Sequence, residues 1–120
     1  MNKPLSTVAY IAAGAIPARS IVAFDTEVNS VVLATSATGA MGVSTAIDAE
    51  PGQHVDVHRF GFAPVIFGET LTRLQPVTAD AQGRAILATA GQFYVGLVEE
   101  DGDEDEICSI LICPGYVAGP

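Results

Sequence analysis

The chain has 120 residues, 14 acids against 5 bases, and a formal net charge of −9. That length fits one domain, and the acidic balance disfavours binding to phosphate backbones or anionic membranes, so neither nucleic acid nor membrane is expected as a partner. With 49% hydrophobic and only 16% charged residues, much apolar surface is expected to lie against a partner.

Met1–Thr7 is polar, contains Pro4 and reads as a flexible arm. Val8–Ala12 is a possible first strand. The Val8–Ile16 run lacks leucine and follows a single basic side chain, Lys3, so it is read as part of the protein rather than a signal peptide. Ile21–Phe24 is the first secure strand. Asp25–Asn29 turns, Val31–Ala34 returns, Ser36–Ala40 loops, and Met41–Ala46 is a strand. Asp48–Gly52 is a turn with Pro51 and Gly52 in succession. Gln53–Phe60 alternates cleanly, Val55 and Val57 on one side and His54, Asp56 and His58 on the other, as in a half-buried antiparallel strand. Gly61–Phe67 holds Pro64, which suits an edge strand or a bridge. Pro76–Ala79 and Ala85–Ala88 flank the turn Asp80–Gly83, Thr89–Gln92 loops, and Phe93–Val98 is β-rich. An acid run, Glu99–Glu106, precedes a final strand, Ile107–Ile112, which Pro114-Gly115 is expected to stop. No segment has sustained helical periodicity. The expectation is all-β, a compact barrel or sandwich.

The chain also repeats. Leu33-Ala34-Thr35 matches Leu87-Ala88-Thr89 (87 − 33 = 54), and Gly42-Val43 matches Gly96-Leu97 at the same offset. Arg19 pairs with Arg73, Gly61 with Gly115, and Asn29 with Gly83. Asn tolerates the left-handed conformation best after Gly, so both turns are expected to have positive φ. The predicted organisation is an N-terminal arm (1–12), one β domain (13–114) made of two similar units (about 16–61 and 70–115, without gaps) and a tail (115–120).

Three stretches invite a chemical reading. His54, Asp56 and His58 share one strand face, and two imidazoles with a carboxylate can ligate zinc or iron. No other His exists in the chain, so a solvated or contact-facing polar strand is the expected reading, with no metal and no cofactor. Asp101, Asp103 and Asp105 have the spacing of a calcium loop, but Glu106 and Ile112 stand where its glycine and bidentate glutamate belong. The run is therefore expected to be a mobile surface loop. Cys108 and Cys113, five apart on one strand, point to opposite faces and are expected as free thiols. Neither a nucleophile elbow nor a Walker loop is present, and the sole lysine is Lys3. No enzymatic activity is expected.

Ile16–Asp25, Ala40–Ser44, Pro51–Val57 and Pro76–Ala85 resemble segments of the small capsid cement, or head decoration, proteins of tailed phages, the DUF2190-like group. The resemblance covers about residues 13–113. It implies a structural virion protein, made in the host cytoplasm, that binds the outer capsid surface and reinforces the lattice of the major capsid protein. It also implies a homo-oligomer, with a trimer favoured over a dimer or monomer. The remaining readings are a carbohydrate- or surface-binding β module, which the lack of Trp disfavours, and a small metalloenzyme using His54, Asp56 and His58. The arm, with Leu5, Val8 and Tyr10 as contact candidates, is expected to pair as an added strand on the capsid or a neighbouring subunit.

Overall fold

The computed structural model describes residues 7–25, 27–34, 40–45, 47–59 and 61–118, with backbone alone for 7, 8, 40 and 41. The expected residues 36–39 of the small-residue loop, Leu5 and the final Gly-Pro lie outside them. The described residues form ten strands and no helix. They are β1 (Thr7–Ala12), β2 (Ile21–Phe24), β3 (Ser30–Leu33), β4 (Ala40–Ser44), β5 (His54–His58), β6 (Gly61–Ile66), β7 (Pro76–Ala79), β8 (Ala85–Leu87), β9 (Phe93–Val98) and β10 (Ile107–Tyr116). β1–β5 close into a barrel in the order β1-β3-β2-β4-β5. β6–β10 make a five-stranded sheet, β6-β10-β9-β7-β8, whose ends meet at a parallel bridge from Phe67 to Ala85.

Each strand of the first unit has a counterpart in the second, with the same neighbours. The hairpin β2–β3 pairs Val22 with Leu33, and β7–β8 pairs Val77 with Leu87. Strand β4 crosses β5 with Val43 opposite His58, and β9 crosses β10 with Leu97 opposite Leu111. The offset is not constant. It is 55 for β1 and β2 (Val22 to Val77), 54 for β3 and β4 (Leu33 to Leu87), and 53 for β5 (His58 to Leu111). One residue is lost in the β2–β3 turn and one in the β4–β5 connection, so the ungapped reading is corrected. Backbone geometry marks the slips. Positive φ occurs at Arg19 and Leu74, at Asn29 and Gly83, and at Gly52 and Asp105. The expected positive φ at Asn29 (65°) and Gly83 (78°) is observed. Arg19 corresponds to Leu74, not Arg73, and Gly61 in β6 is not the counterpart of Gly115 in β10.

Two further boundaries differ from expectation. Residues 7–12 are not an arm: β1 pairs along its length with β5, from Thr7 opposite His58 to Ile11 opposite His54, and in parallel with β3. It is the counterpart of β6, so it belongs to the repeat, and its backbone hydrogen bonds are spent inside the barrel. The chain does not leave the sheet at 115 either. A register shift between Ile112 and Gly115 carries β10 past Pro114, and Gly115 and Tyr116 pair with Tyr94 and Phe93, which is how a bulge lets a strand accommodate proline. Pro64 lies in β6, at one end of the second sheet's order, as expected.

The first unit packs its own interior from Tyr10, Ala12, Ile16, Val22, Val31, Ala49, Val55 and Val57. The second unit's interior is larger and continuous with the outer face of the first, because Ile21, Ala23, Ala34 and Val43 belong to the same cluster as Val65, Phe67, Val77 and Ile110. Strand β4 lies against β6, β9 and β10.

The junction between the units is an exchange of hydrogen bonds. In the first unit the β1–β3 seam is closed by Ile11 N–H donating to Asn29 O at 2.8 Å. The equivalent groups of the second unit are Ile66 N–H and Gly83 O. Ile66 N–H donates instead to Arg19 O (3.1 Å), and Gly83 O accepts from Ile21 N–H (2.8 Å). Arg19–Ile21 of the first unit is thus wedged into the seam of the second. Gly83 is buried there, and a Cβ on it would meet the side chains of Leu33 and Ser20. The bend leading to the wedge is held by Ala18 N–H donating to Asp48 Oδ1 at 2.7 Å and by Ser44 Oγ, which accepts from Ser20 N–H and donates to Pro17 O.

Candidate contact surfaces

His54, Asp56 and His58 do share the outer face of β5, alternating with buried Val55 and Val57. They sit on the strand between β1 and β4. Among the described residues no group of three His, Cys, Asp or Glu side chains could hold a metal ion. His58 is half-buried, and its pKa is lowered, chiefly by desolvation and then by the positive charge of Arg19, with Asp56 opposing. It marks the edge of the inter-unit contact.

The acid run lies largely exposed at the surface, as expected, and its turn is tied to the fold by hydrogen bonds. Leu71 and Gly102 exchange backbone hydrogen bonds of 2.9 and 3.0 Å. Asp101 Oδ1 accepts from Arg73 N–H at 2.8 Å, as Asp48 does from Ala18 in the first unit. Glu106 Oε1 accepts from Asp103 N–H, matching Gln53 on Glu50. Arg84 reaches across to Asp80 (2.8 Å) and Asp105 (3.0 Å), and these partners raise its pKa, Asp80 most. The carboxylates satisfy backbone amides and one guanidinium, so the calcium-loop spacing follows from turn construction. Cys108 is buried and Cys113 half-buried, both free; burial, then neighbouring acids, raises the Cys108 pKa.

Of the N-terminal contact candidates, Leu5 and the Val8 side chain lie outside the described residues. Tyr10 is only 7% exposed and packs in the first unit's core. Its hydroxyl accepts from Arg59 at 3.2 Å, and its ring meets Phe24 edge-on at 6.1 Å. It is a core residue, which corrects its assignment to a partner contact.

The feature that sequence reading missed is a row of apolar side chains on the outside of the second unit. Cross-strand pairing sets Phe62, Leu111, Leu97 and Pro76 in line over β6, β10, β9 and β7. With Leu74 and the rim residues Arg73 and Glu99, the first three line an open cleft of about 170 Å³. Leu74 is 69% exposed and Leu111 37%. The alternation of β10 carries a signal for Leu111, but its neighbours become visible only through register. Phe93 and Tyr116 form a second exposed apolar spot, edge to face at 4.9 Å.

A family model described as phage cement protein matches residues 3–112. The fold is similar to that of the head fiber gp8.5 N base in bacteriophage phi29, with a TM-score of 0.69, 17% sequence identity, and coverage of 89% of this chain and 92% of that one. Among curated proteins, none matches in sequence.

Proposed function

The chain belongs to the phage cement protein family, a family of structural, capsid-associated proteins, and on that premise we propose that it binds the outer surface of the phage head and reinforces the lattice of the major capsid protein. The observation that carries this reading is the family match over residues 3–112, nearly the whole chain. What the molecule is made of agrees with it. A small chain with two open apolar spots on its β scaffold suits a protein whose remaining surface is finished by contact. Asp48, Asp101 and Glu106 are spent on holding bends and turns, and His54, Asp56 and His58 are spread along one outer strand face, as suits a scaffold. In this role the chain acts as a homo-oligomer, and binding energy is delivered by many weak contacts repeated over the capsid.

Undecorated heads of the same phage, mixed with purified protein and sedimented, test the proposal. Saturable co-sedimentation at a fixed ratio to the major capsid protein, with an increase in the temperature at which heads release DNA, is the expected result. Absence of saturable binding would overturn it.

A further inference from the structure

The two units are joined by one short connection and otherwise by non-covalent contact. The chain leaves β5 at His58 and enters β6 at Gly61. Gly61 pairs with Ile112 of β10 and has a left-handed backbone, φ 75°. Among the described residues, none lies within 4 Å of the position that a Cβ on Gly61 would take. Glycine is therefore required there by the backbone and not by space. With a side chain, the extended conformation is favoured, and β6 would leave β5 in a different direction.

What the connection holds together is a complementary pair of surfaces. The first unit offers Ile21, Ala23, Ala34 and Val43, buried in one cluster with Val65, Phe67, Val77 and Ile110 of the second. It also offers Arg19 O to Ile66 N–H and Ile21 N–H to Gly83 O. None of these groups belongs to the connection, so the second unit of another copy would satisfy all of them equally well. Two copies that exchange second units keep both junctions and differ from two separate chains at the connection alone. The exchange closes on itself as a two-fold dimer. Within one chain the short tether gives the junction a high effective concentration, so the closed single chain is favoured as long as Gly61 makes its turn.

We propose that the junction between the units is exchangeable between two copies of this chain, and that Gly61 is the residue that keeps it within one. A short connection denied its turn is the circumstance that invites such an exchange. The partner is a second copy, and the surface is the one already formed between Arg19–Ile21, Val43 and the seam of the second unit.

No capsid is needed, so this test and the head-binding test succeed or fail separately. Gly61→Val should raise the association constant between chains by about two orders of magnitude, because the left-handed cost is relieved at both connections of the dimer. Sedimentation equilibrium of the variant and the parent measures it. Gly52→Val is the control: Gly52 has φ 87° and equally open surroundings, but lies in a turn inside the first unit. It should lower Tm and leave the mass unchanged. A complementation experiment then identifies the interface. On the Gly61→Val background, one chain carries Ile21→Asp, which spoils the first unit's surface, and the other Gly83→Val, which spoils the second unit's seam. Unfolded in urea and refolded together, they share one intact junction in the exchanged dimer, and the mixture should melt above either chain alone. Should Gly61→Val fail to refold, Gly61→Ala replaces it, and should Ile21→Asp fail, Ile21→Thr. Unchanged association by the Gly61 variant overturns the proposal. So does a rise in association equal to that of Gly52→Val, and so does a mixture that melts as its two components do apart.

Discussion

Gly83 joins two demands at one position, a left-handed backbone and a close approach. Its counterpart Asn29 has the same φ but is exposed, which is why one turn tolerates a side chain and the other does not. Gly83→Val is expected to cost about 3 kcal/mol, from about 1–2 for the backbone and the rest from overpacking against Ser20 and Leu33. Asn29→Gly should be neutral or mildly stabilising. Urea unfolding of the two variants checks both. His58 gives a pH test. Burial lowers its pKa from 6.5, so the folded state resists protonation that the unfolded chain accepts. Stability is full above about pH 6.5 and declines as pH falls towards the folded value. His58→Gln should remove this part of the acid-side decline in Tm, and an unchanged profile would contradict it. Asp101 is a third case. Asp101→Ala leaves Arg73 N–H without its acceptor and should destabilise by about 1 kcal/mol, whereas Asp101→Asn keeps an acceptor oxygen and should be nearly neutral, as differential scanning calorimetry can show.

At the scale of elements, β1 decides whether the first barrel closes. Deleting residues 2–9 removes Thr7, Val8 and Ala9 from their pairing with His58, Val57 and Asp56. The deletion should lower Tm markedly and expose apolar surface to dye; an unchanged melting curve would restore the arm. The place of this strand in the sheet was hard to read because Thr-Val-Ala-Tyr-Ile-Ala has no polar residue after Thr7 to mark an outer face, unlike β5, whose His-Val-Asp-Val-His pattern announces both its type and its buried side. The ties of the acid run were hidden for a different reason. Its charge is a local property, but Asp101 caps a bend 28 residues away, and nothing local distinguishes a capping carboxylate from a solvated one. Turn chemistry at Asn29, Gly52 and Gly83 was legible because positive φ restricts the residue type directly. The shift from 55 to 53 across the repeat was not, since Ala, Gly and Val match themselves at several offsets.

For the whole molecule, the all-β class and the doubling were readable, and the junction was not, because an exchange of backbone hydrogen bonds leaves no mark on side-chain pattern. That exchange makes the two halves unequal. The first unit closes its seam with its own Ile11–Asn29 bond and has a core of its own, while the second closes its seam only at the Phe67–Ala85 bridge, is parted beside it by Arg19–Ile21, and shares its core with Ile21 and Val43. Expressed separately, residues 1–60 should show more amide protection than residues 61–120, and mixing the two should raise protection in the second; equal protection in isolation would contradict the asymmetry. During synthesis the self-sufficient half leaves the ribosome first. The half that follows then finds its missing wedge already shaped and waiting, so the direction of translation matches the direction of dependence. A circular permutant that emerges in the opposite order would expose a half-closed seam and a bare apolar sheet to solvent ahead of the segment that fills them, and its yield of soluble protein should suffer even if its final fold is the same.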